Sequence, residues 1–409
     1  MVRVFGRIGM LSFGGPAAQI ALMHRELVEA RPWLSEAEYL RALSLCMLLP
    51  GPEAMQLATY AGWRLRGRLG GLLAGALFVL PGAAVIALLV MLYVSFGTLP
   101  VVQAAFTGVK AAVIVIVLQA LLKLMGKALT GGLAWAIALV AFVAIFAFDL
   151  PFPVIILAAG VAGFARLPAP AAPRTAPAAA QGHPLRTLAI WLPVWLGPLA
   201  ALSLWGSELL AAIGWFFAWL AVVTFGGAYA VLAYMTQTVV SDFGWLSTAQ
   251  MIDALGLAET TPGPLILVTQ FVAMVTGALQ GGAGLALAAG GVALWATFVP
   301  CFLWIFMAAP YLDHIAARPR LGAAMQGISA AVVGVILNLS VWFALHVLFA
   351  RVDTLHLPPL SLPVPDWRSL DPIALMLTVL ACGLILGLKQ GLARSLAVLA
   401  ICGAATVML

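Results

Sequence analysis

Two prolines flank a glycine in Leu49-Pro50-Gly51-Pro52-Glu53, inside an apolar run (Leu40 to Trp63) that would otherwise be one membrane helix. The triplet returns 212 positions later, in Thr261-Pro262-Gly263-Pro264. Each proline removes a backbone donor and crowds the carbonyl four residues earlier, so both runs are expected to break. In lipid a freed carbonyl finds no water, and such a break persists only where protein buries it or it lines a polar cavity. Pro52 suits the first turn of a new helix, which would aim the N–H groups of Glu53 to Met55 back at the break. Such a helix N-terminus binds oxyanions. Phe13-Gly14-Gly15 and Phe225-Gly226-Gly227, preceded by the hydroxyls of Ser12 and Thr224, read as two further breaks. Close helix packing is the competing account of their glycines. Thr261 is expected to cap the half-helix after it. Leu49 cannot cap, which leaves the N–H groups after Gly51 freer and makes the first copy, with Lys110 near it, the expected main anion contact.

Isolated polar residues add to this set. Lys110 is the one basic residue deep in an apolar span (Val101 to Leu124). Burying it costs about 3 kcal/mol on insertion scales, so a substrate-facing or charge-pairing role is expected. Glu53 and Glu259 are the acids closest to the breaks and suit proton relay. Glu53 also fits a plain helix N-terminus, and Asp253 fits a membrane interface. Gln19, Gln56 and Gln270 fall one or two turns from a break and are placed to line a path. Gln119 and Asn338 hold matching positions, as polar contacts or as helix packing. His24 to Arg41, with three arginines and four glutamates, reads as an amphipathic interfacial connector or as an electrostatic mouth. The five histidines have no metal-ligand spacing, the four cysteines lie in apolar segments without a CxxC, and no catalytic motif is present. No cofactor, metal or enzymatic activity is expected.

These residues need a membrane frame. The chain has 409 residues, 64% hydrophobic and 8% charged, against about 25% charged in a soluble domain. Its net charge of +6 is too sparse for a nucleic-acid face and fits basic cytoplasmic loops instead. No cleavable N-terminal signal is recognised. Apolar runs predict an all-α polytopic protein with about thirteen segments: 5–23, 40–63, 69–95, 101–124, 131–149, 151–165, 187–205, 215–235, 249–275, 285–310, 322–349, 371–388 and 391–409. Arg166 to Arg186 is a Pro/Ala-rich linker, and Arg351 to Leu370 a Pro-rich polar one. The two halves repeat: Trp33-Leu34-Ser35 matches Trp245-Leu246-Ser247 at offset 212, and Ala111-Ala112-Val113 matches Ala330-Ala331-Val332 at offset 219. The expected domains are 1–165, a linker plus connecting helix (166–214), and 215–409. One extra span between equal halves inverts the second. With the N-terminus inside, cytoplasmic loops hold fourteen Lys and Arg and outer loops five, and the basic loops swap sides between halves. Inverted repeats with broken helices are the mark of secondary transporters.

Ser12-Phe-Gly-Gly-Pro, His24-Arg25-Glu26-Leu27-Val28, Trp33-Leu34-Ser35, Leu48-Leu49-Pro50-Gly51-Pro52-Glu53 and Phe78-Val79-Leu80-Pro81-Gly82 together resemble the chromate ion transporter family in its long, two-domain form. The resemblance covers nearly the whole chain and is strongest in the first half. It implies a bacterial inner-membrane transporter that expels chromate, confers resistance and draws on the proton motive force, with sulfate as a competitor of the same shape and charge. Its partners would be chromate, protons and the lipid bilayer; a homodimer is compatible with the sequence. The second half has Thr236-Gln237-Thr238 in place of His24-Arg25-Glu26, so any role of that triplet belongs to one half. An inside-negative potential favours expulsion of a dianion by roughly 4.6 kcal/mol per 100 mV. An oxyanion importer and a passive anion channel are the alternatives.

Overall fold

The computed structural model describes residues 1–13, 15–167, 183–225, 228–316, 318–357 and 360–407. Gly14, Gly226, Gly227 and most of the predicted linker lie outside them.

The first half runs α1 (Val2–Leu11), α2 (Gly15–His24), α3 (Glu36–Leu48), α4 (Glu53–Phe96), α5 (Pro100–Ala128), α6 (Gly132–Phe146) and α7 (Phe152–Arg166). After α8 (Pro184–Trp205) come α9 (Glu208–Val223), α10 (Ala228–Gln237), α11 (Thr248–Thr260), a 3-10 turn (Leu265–Leu267) and α12 (Val268–Ala308). The short α13 (Leu312–Ala316) leads to α14 (Pro319–Leu348), and α15 (Pro372–Cys382) and α16 (Leu392–Ala405) end the chain. Several of these helices are long and apolar enough to cross a bilayer, as a multi-pass membrane protein requires.

The all-α expectation needs one correction. Arg351 to Leu370 is not a plain linker: β1 (Val352–Leu357) pairs antiparallel with β2 (Leu360–Pro365), Val352 opposite Pro365 and Leu357 opposite Leu360. Val-Asp-Thr-Leu-His-Leu mixes the β-branched Val352 and Thr354 with polar residues and does not alternate strictly, so its pattern does not announce a strand. The prolines disguise β2, but they sit where an edge strand tolerates them.

The predicted spans also divide differently. Segments 5–23 and 40–63 break at Ser12 and Phe13 and at Leu49 to Pro52. The second arm of 40–63 continues into 69–95 as α4, which bends at Arg66 and Gly67, the latter at φ +60. The arms of α4 fold back on each other, because a Cβ on Gly62 would lie 2.3 Å from the Gly70 carbonyl oxygen. In the same way α12 bends at Gly281 and Gly282, and Gly277 packs on Leu285 and Ala286.

The chain forms two compact units, and each draws on both halves. The first comprises Met1–Met91, Pro170–Val231 and Thr261–Gly322. Within it α8 is no mere tether: the Trp195 indole donates to the Ala296 carbonyl (3.0 Å) and the Trp295 indole to the Trp195 carbonyl (3.1 Å). The second comprises Leu92–Ala169, Leu232–Thr260 and Ala323–Leu409. There the helices meet at glycines. A Cβ on Gly108 of α5 would lie 1.9 Å from the Leu399 carbonyl of α16, and one on Gly327 of α14 would lie 2.3 Å from the Ala159 carbonyl of α7. Gly403 meets Ala104 and Gly163 meets Ala323 in the same manner. Residues 159 and 163 correspond to 399 and 403 at offset 240, an extension of the repeat. The only non-glycine residues at positive φ, among those described, are Asp149 (+51) and Lys389 (+50), again 240 apart. Contacts of this i-to-j, j-to-i form are what a pseudo-two-fold produces.

Candidate functional site

In the first unit the two Pro-Gly-Pro breaks are built from the same parts. α3 ends at Leu48, Leu49 is extended, Gly51 takes φ +112, and α4 begins at Glu53. α11 ends at Thr260, Gly263 takes φ +93, and the 3-10 turn begins at Leu265. Only glycine adopts such φ values without strain. Space is equally tight: a Cβ on Gly51 would lie 2.9 Å from Gln56 Nε2 and 3.0 Å from Cys301 Sγ.

The breaks pair crosswise with the ends of α9 and α1, each in the opposite half. The Gly51 N–H donates to the Thr224 carbonyl (2.9 Å), and the Gly263 N–H donates to the Ser12 carbonyl (2.9 Å). Each bond therefore joins a freed donor of one half to a helix-end carbonyl of the other. Ser12 and Thr224 are buried, and their hydroxyls donate to the carbonyls of Ile8 and Leu220, one turn back. Their protons are thus committed to their own helices.

Three buried glutamines line these breaks. Gln19 Nε2 donates to the Gly263 carbonyl (2.7 Å) and the Ser12 carbonyl (3.3 Å). Gln56 Nε2 donates to the Pro50 carbonyl (2.6 Å) and Gln270 Nε2 to the Ala83 carbonyl (3.0 Å). In all three Oε1 is buried without a hydrogen-bond partner among the described residues. A buried polar atom left so is costly and points to a ligand, water or proton-bearing group. Glu53 is half-buried in the first turn of α4, where a negative charge is favoured. Pro52, Thr261, Pro262 and Pro264 are buried around the same turns, and Pro50 is half-buried.

Thr261 does not cap the helix after it. That helix begins with Pro264 as its N-cap residue and no side-chain cap, because Pro262 and Gly263 hold the chain out of helix for three residues past Thr261. The contrast drawn between Leu49 and Thr261 therefore falls away.

Lys110 and Glu259 belong to the second unit. Lys110 Nζ lies 3.1 Å from Asp253 Oδ1, and the Tyr93 hydroxyl donates to Asp253 Oδ2 (2.9 Å). Asp253 is therefore the buried partner of Lys110. Lys110 was visible in the sequence as a lone cation; its partner was not, because it lies on another helix in the opposite half. Glu259 is buried near the end of α11. Asn338 lines a cavity of about 390 Å³ with Thr236, Gln237, Asp149 and His346, under the β1–β2 hairpin.

The connector from His24 holds its charges in pairs. His24 meets Glu36 (2.7 Å) and Glu29 (3.0 Å), Arg64 meets Glu38 (2.6 Å), and Arg31 and Arg7 both meet Glu26. The Glu36 hydrogen bond raises the His24 pKa above its ordinary value. Cys46 and Cys301 are buried and Cys382 and Cys402 half-buried, all free thiols. No cluster of metal-ligating side chains occurs among the described residues.

Against this geometry, the chromate transporter family model matches residues 1–164 and 211–407, which is nearly the whole chain. The chain belongs to the chromate transporter family. It is similar to a chromate transport protein of Cupriavidus metallidurans, 36% identical over 82% of this chain and 80% of that one. A probable chromate transport protein of Synechococcus elongatus is 34% identical over 82% of both chains. A chromate transport protein of Pseudomonas aeruginosa is 34% identical over 81% of this chain and 77% of its own. No solved structure matches.

Proposed function

We propose that this protein carries chromate outward across a bacterial inner membrane, draws on the proton motive force, and so confers chromate resistance. The observation that carries this reading is the crosswise pairing of the breaks, Gly51 to Thr224 and Gly263 to Ser12. It ties two interrupted helices of a membrane protein to each other through backbone hydrogen bonds at the break where α4 begins, and a helix N-terminus favours a dianion. Both halves contribute: Ser12, Gly14, Gly15 and Gln19 with Pro262, Gly263 and Pro264 at one break; Thr224, Gly226 and Gly227 with Pro50, Gly51, Pro52 and Gln56 at the other. Glu53 and Glu259 are the proton-coupling carboxylates in this reading, Lys110 is a substrate contact, and sulfate is a competitor. The halves, 1–165 and 215–409, are inverted with a cytoplasmic N-terminus in this reading, which the side-swapping basic loops support.

A chromate challenge of cells with and without the protein tests it. An exporter protects and lowers cell-associated chromate. Sensitisation would instead mean uptake, and flux into vesicles that neither saturates nor responds to a pH gradient would mean a channel. Pro50→Ala and Pro262→Ala should each impair protection if both breaks build the site.

A further inference from the structure

The Lys110–Asp253–Tyr93 cluster is the buried charge system of the second unit. Lys110 projects from α5 and Asp253 from α11, Nζ and Oδ1 3.1 Å apart, while the Tyr93 hydroxyl holds Oδ2 at 2.9 Å. The two helices close here because Gly256, one turn past Asp253, has no side chain. A Cβ there would lie 2.7 Å from Val109 Cγ1. The Asp253 side chain is 9% exposed and that of Lys110 21%, so the acid is the more enclosed of the two side chains. Oδ1 has no aligned hydrogen bond, so the pair is held by charge rather than by a directed bond. Lys110 and Tyr93 are the titratable groups that act on Asp253.

A structural clasp of a repeated fold would recur in both halves, as the glycine contacts do. This cluster does not. The repeat puts Arg41 at the position of Asp253, Leu312 at that of Tyr93 and Ser329 at that of Lys110. An ion pair that the repeat does not call for, with its acid the more enclosed partner, is a charge system set for function rather than for the fold.

We propose that Asp253 is a proton gate on Lys110: the ammonium accepts an oxyanion only after the carboxylate has taken a proton and released it. The gate rests on the oxyanion-transport reading above and adds Asp253 to Glu53 and Glu259. A proton from water binds a carboxylate oxygen of Asp253, and the attraction that holds Lys110 is lost. The ammonium then pairs with the dianion. When the anion leaves, the carboxyl gives up its proton and the ion pair re-forms. No covalent bond to the substrate is made. One proton accompanies each dianion and the complex carries one net negative charge more than the empty pair; an inside-negative potential favours its outward movement while a pH gradient acid outside opposes it, so this step draws on the electrical part of the proton motive force.

The test is chromate binding to the purified full-length protein in detergent, from mildly acidic to mildly alkaline pH. Asp253→Asn serves as the reference for chromate's own titration. Relative to that variant, wild-type affinity should fall by about tenfold per pH unit once the carboxyl ionises. Asp253→Asn should stay tight at alkaline pH. Tyr93→Phe removes a bond that favours the carboxylate, and should move the fall upward by about half to one pH unit. The double variant Lys110→Gln/Asp253→Asn leaves no lone buried charge; it should fold and bind chromate at least about tenfold more weakly, the loss of a close charge pair. Equal pH dependence in wild type and Asp253→Asn, or wild-type affinity in the double variant, overturns the gate alone. No chromate binding by wild type at any pH would overturn the transport reading, and the gate with it.

Discussion

At the scale of the residue, Gly51 and His24 illustrate two different constraints. Gly51 combines a positive φ of +112 with no room for a Cβ beside Gln56 and Cys301. In Gly51→Ala the Gln56 amide must move, which breaks its bond to the Pro50 carbonyl. Strain plus one lost hydrogen bond is about 2–4 kcal/mol. Chemical unfolding in micelles should show that loss, whereas Gly6→Ala, with open space around it on α1, should be neutral or slightly stabilising. His24 starts the connector, outside the predicted span 5–23. Its pKa lies above the ordinary 6.5, chiefly through the Glu36 hydrogen bond. The stability it contributes is complete below that ordinary value and is lost as pH rises through the raised folded one. The thermal midpoint of wild type should therefore drop across that window, and His24→Gln should flatten the drop. A variant as pH-sensitive as wild type would refute the pairing. Sequence reading found the breaks because Pro and Gly act locally on the backbone. It missed Asp253 as the partner of Lys110, and gave Thr261 a cap it does not form, because both depend on where distant or neighbouring backbone is held.

At the scale of the element, glycine contacts decide how helices meet. Gly108 against Leu399 and Gly327 against Ala159 are the same contact made twice, once in each direction. A methyl at either glycine points into a backbone carbonyl, which no side-chain rotation can relieve, so the helices must part. Gly108→Ala and Gly327→Ala should each cost about 2 kcal/mol or more. Gly108→Ala and Gly403→Ala lie on one helix pair, so their double variant should lose less than the sum of the singles. Strict additivity, measured by unfolding in micelles, would mean that α5 and α16 do not share one interface there. The repeat was legible at offsets 212 and 219 because Pro, Gly and Trp mark it. It faded beyond α14 because the β1–β2 hairpin is inserted there and shifts the register to 240, leaving apolar helices with few distinctive residues to align. Asp149 and Lys389 differ in type and share only a backbone conformation, which sequence comparison does not see.

For the whole molecule, the crosswise bonds mean that neither half is complete alone. A chain ending after the linker would keep Gly51 and Ser12 but lose Thr224 and Gly263, leaving the Gly51 N–H without its acceptor and the Ser12 carbonyl without its backbone donor. Each orphan group costs about 1–3 kcal/mol, a large share of the marginal stability of a domain. In the second unit the same chain would keep Gly108 without α16 and Gly163 without α14, exposing glycine faces shaped for close packing. The complementary half has the mirror deficits, so the two should restore each other in trans. Residues 1–182 and 183–409 expressed as separate chains in one cell should co-purify and protect against chromate, while either alone should be degraded or aggregate. The cut falls in the Pro/Ala-rich stretch, so it severs no contact described above. A single half that purifies as a folded, protective protein would show that it completes its breaks with a second copy of itself. The reciprocity between Gly51–Thr224 and Gly263–Ser12 would then be a property of any two such halves, and covalent linkage would matter only for the features found once, Lys110 with Asp253 and the His24 connector.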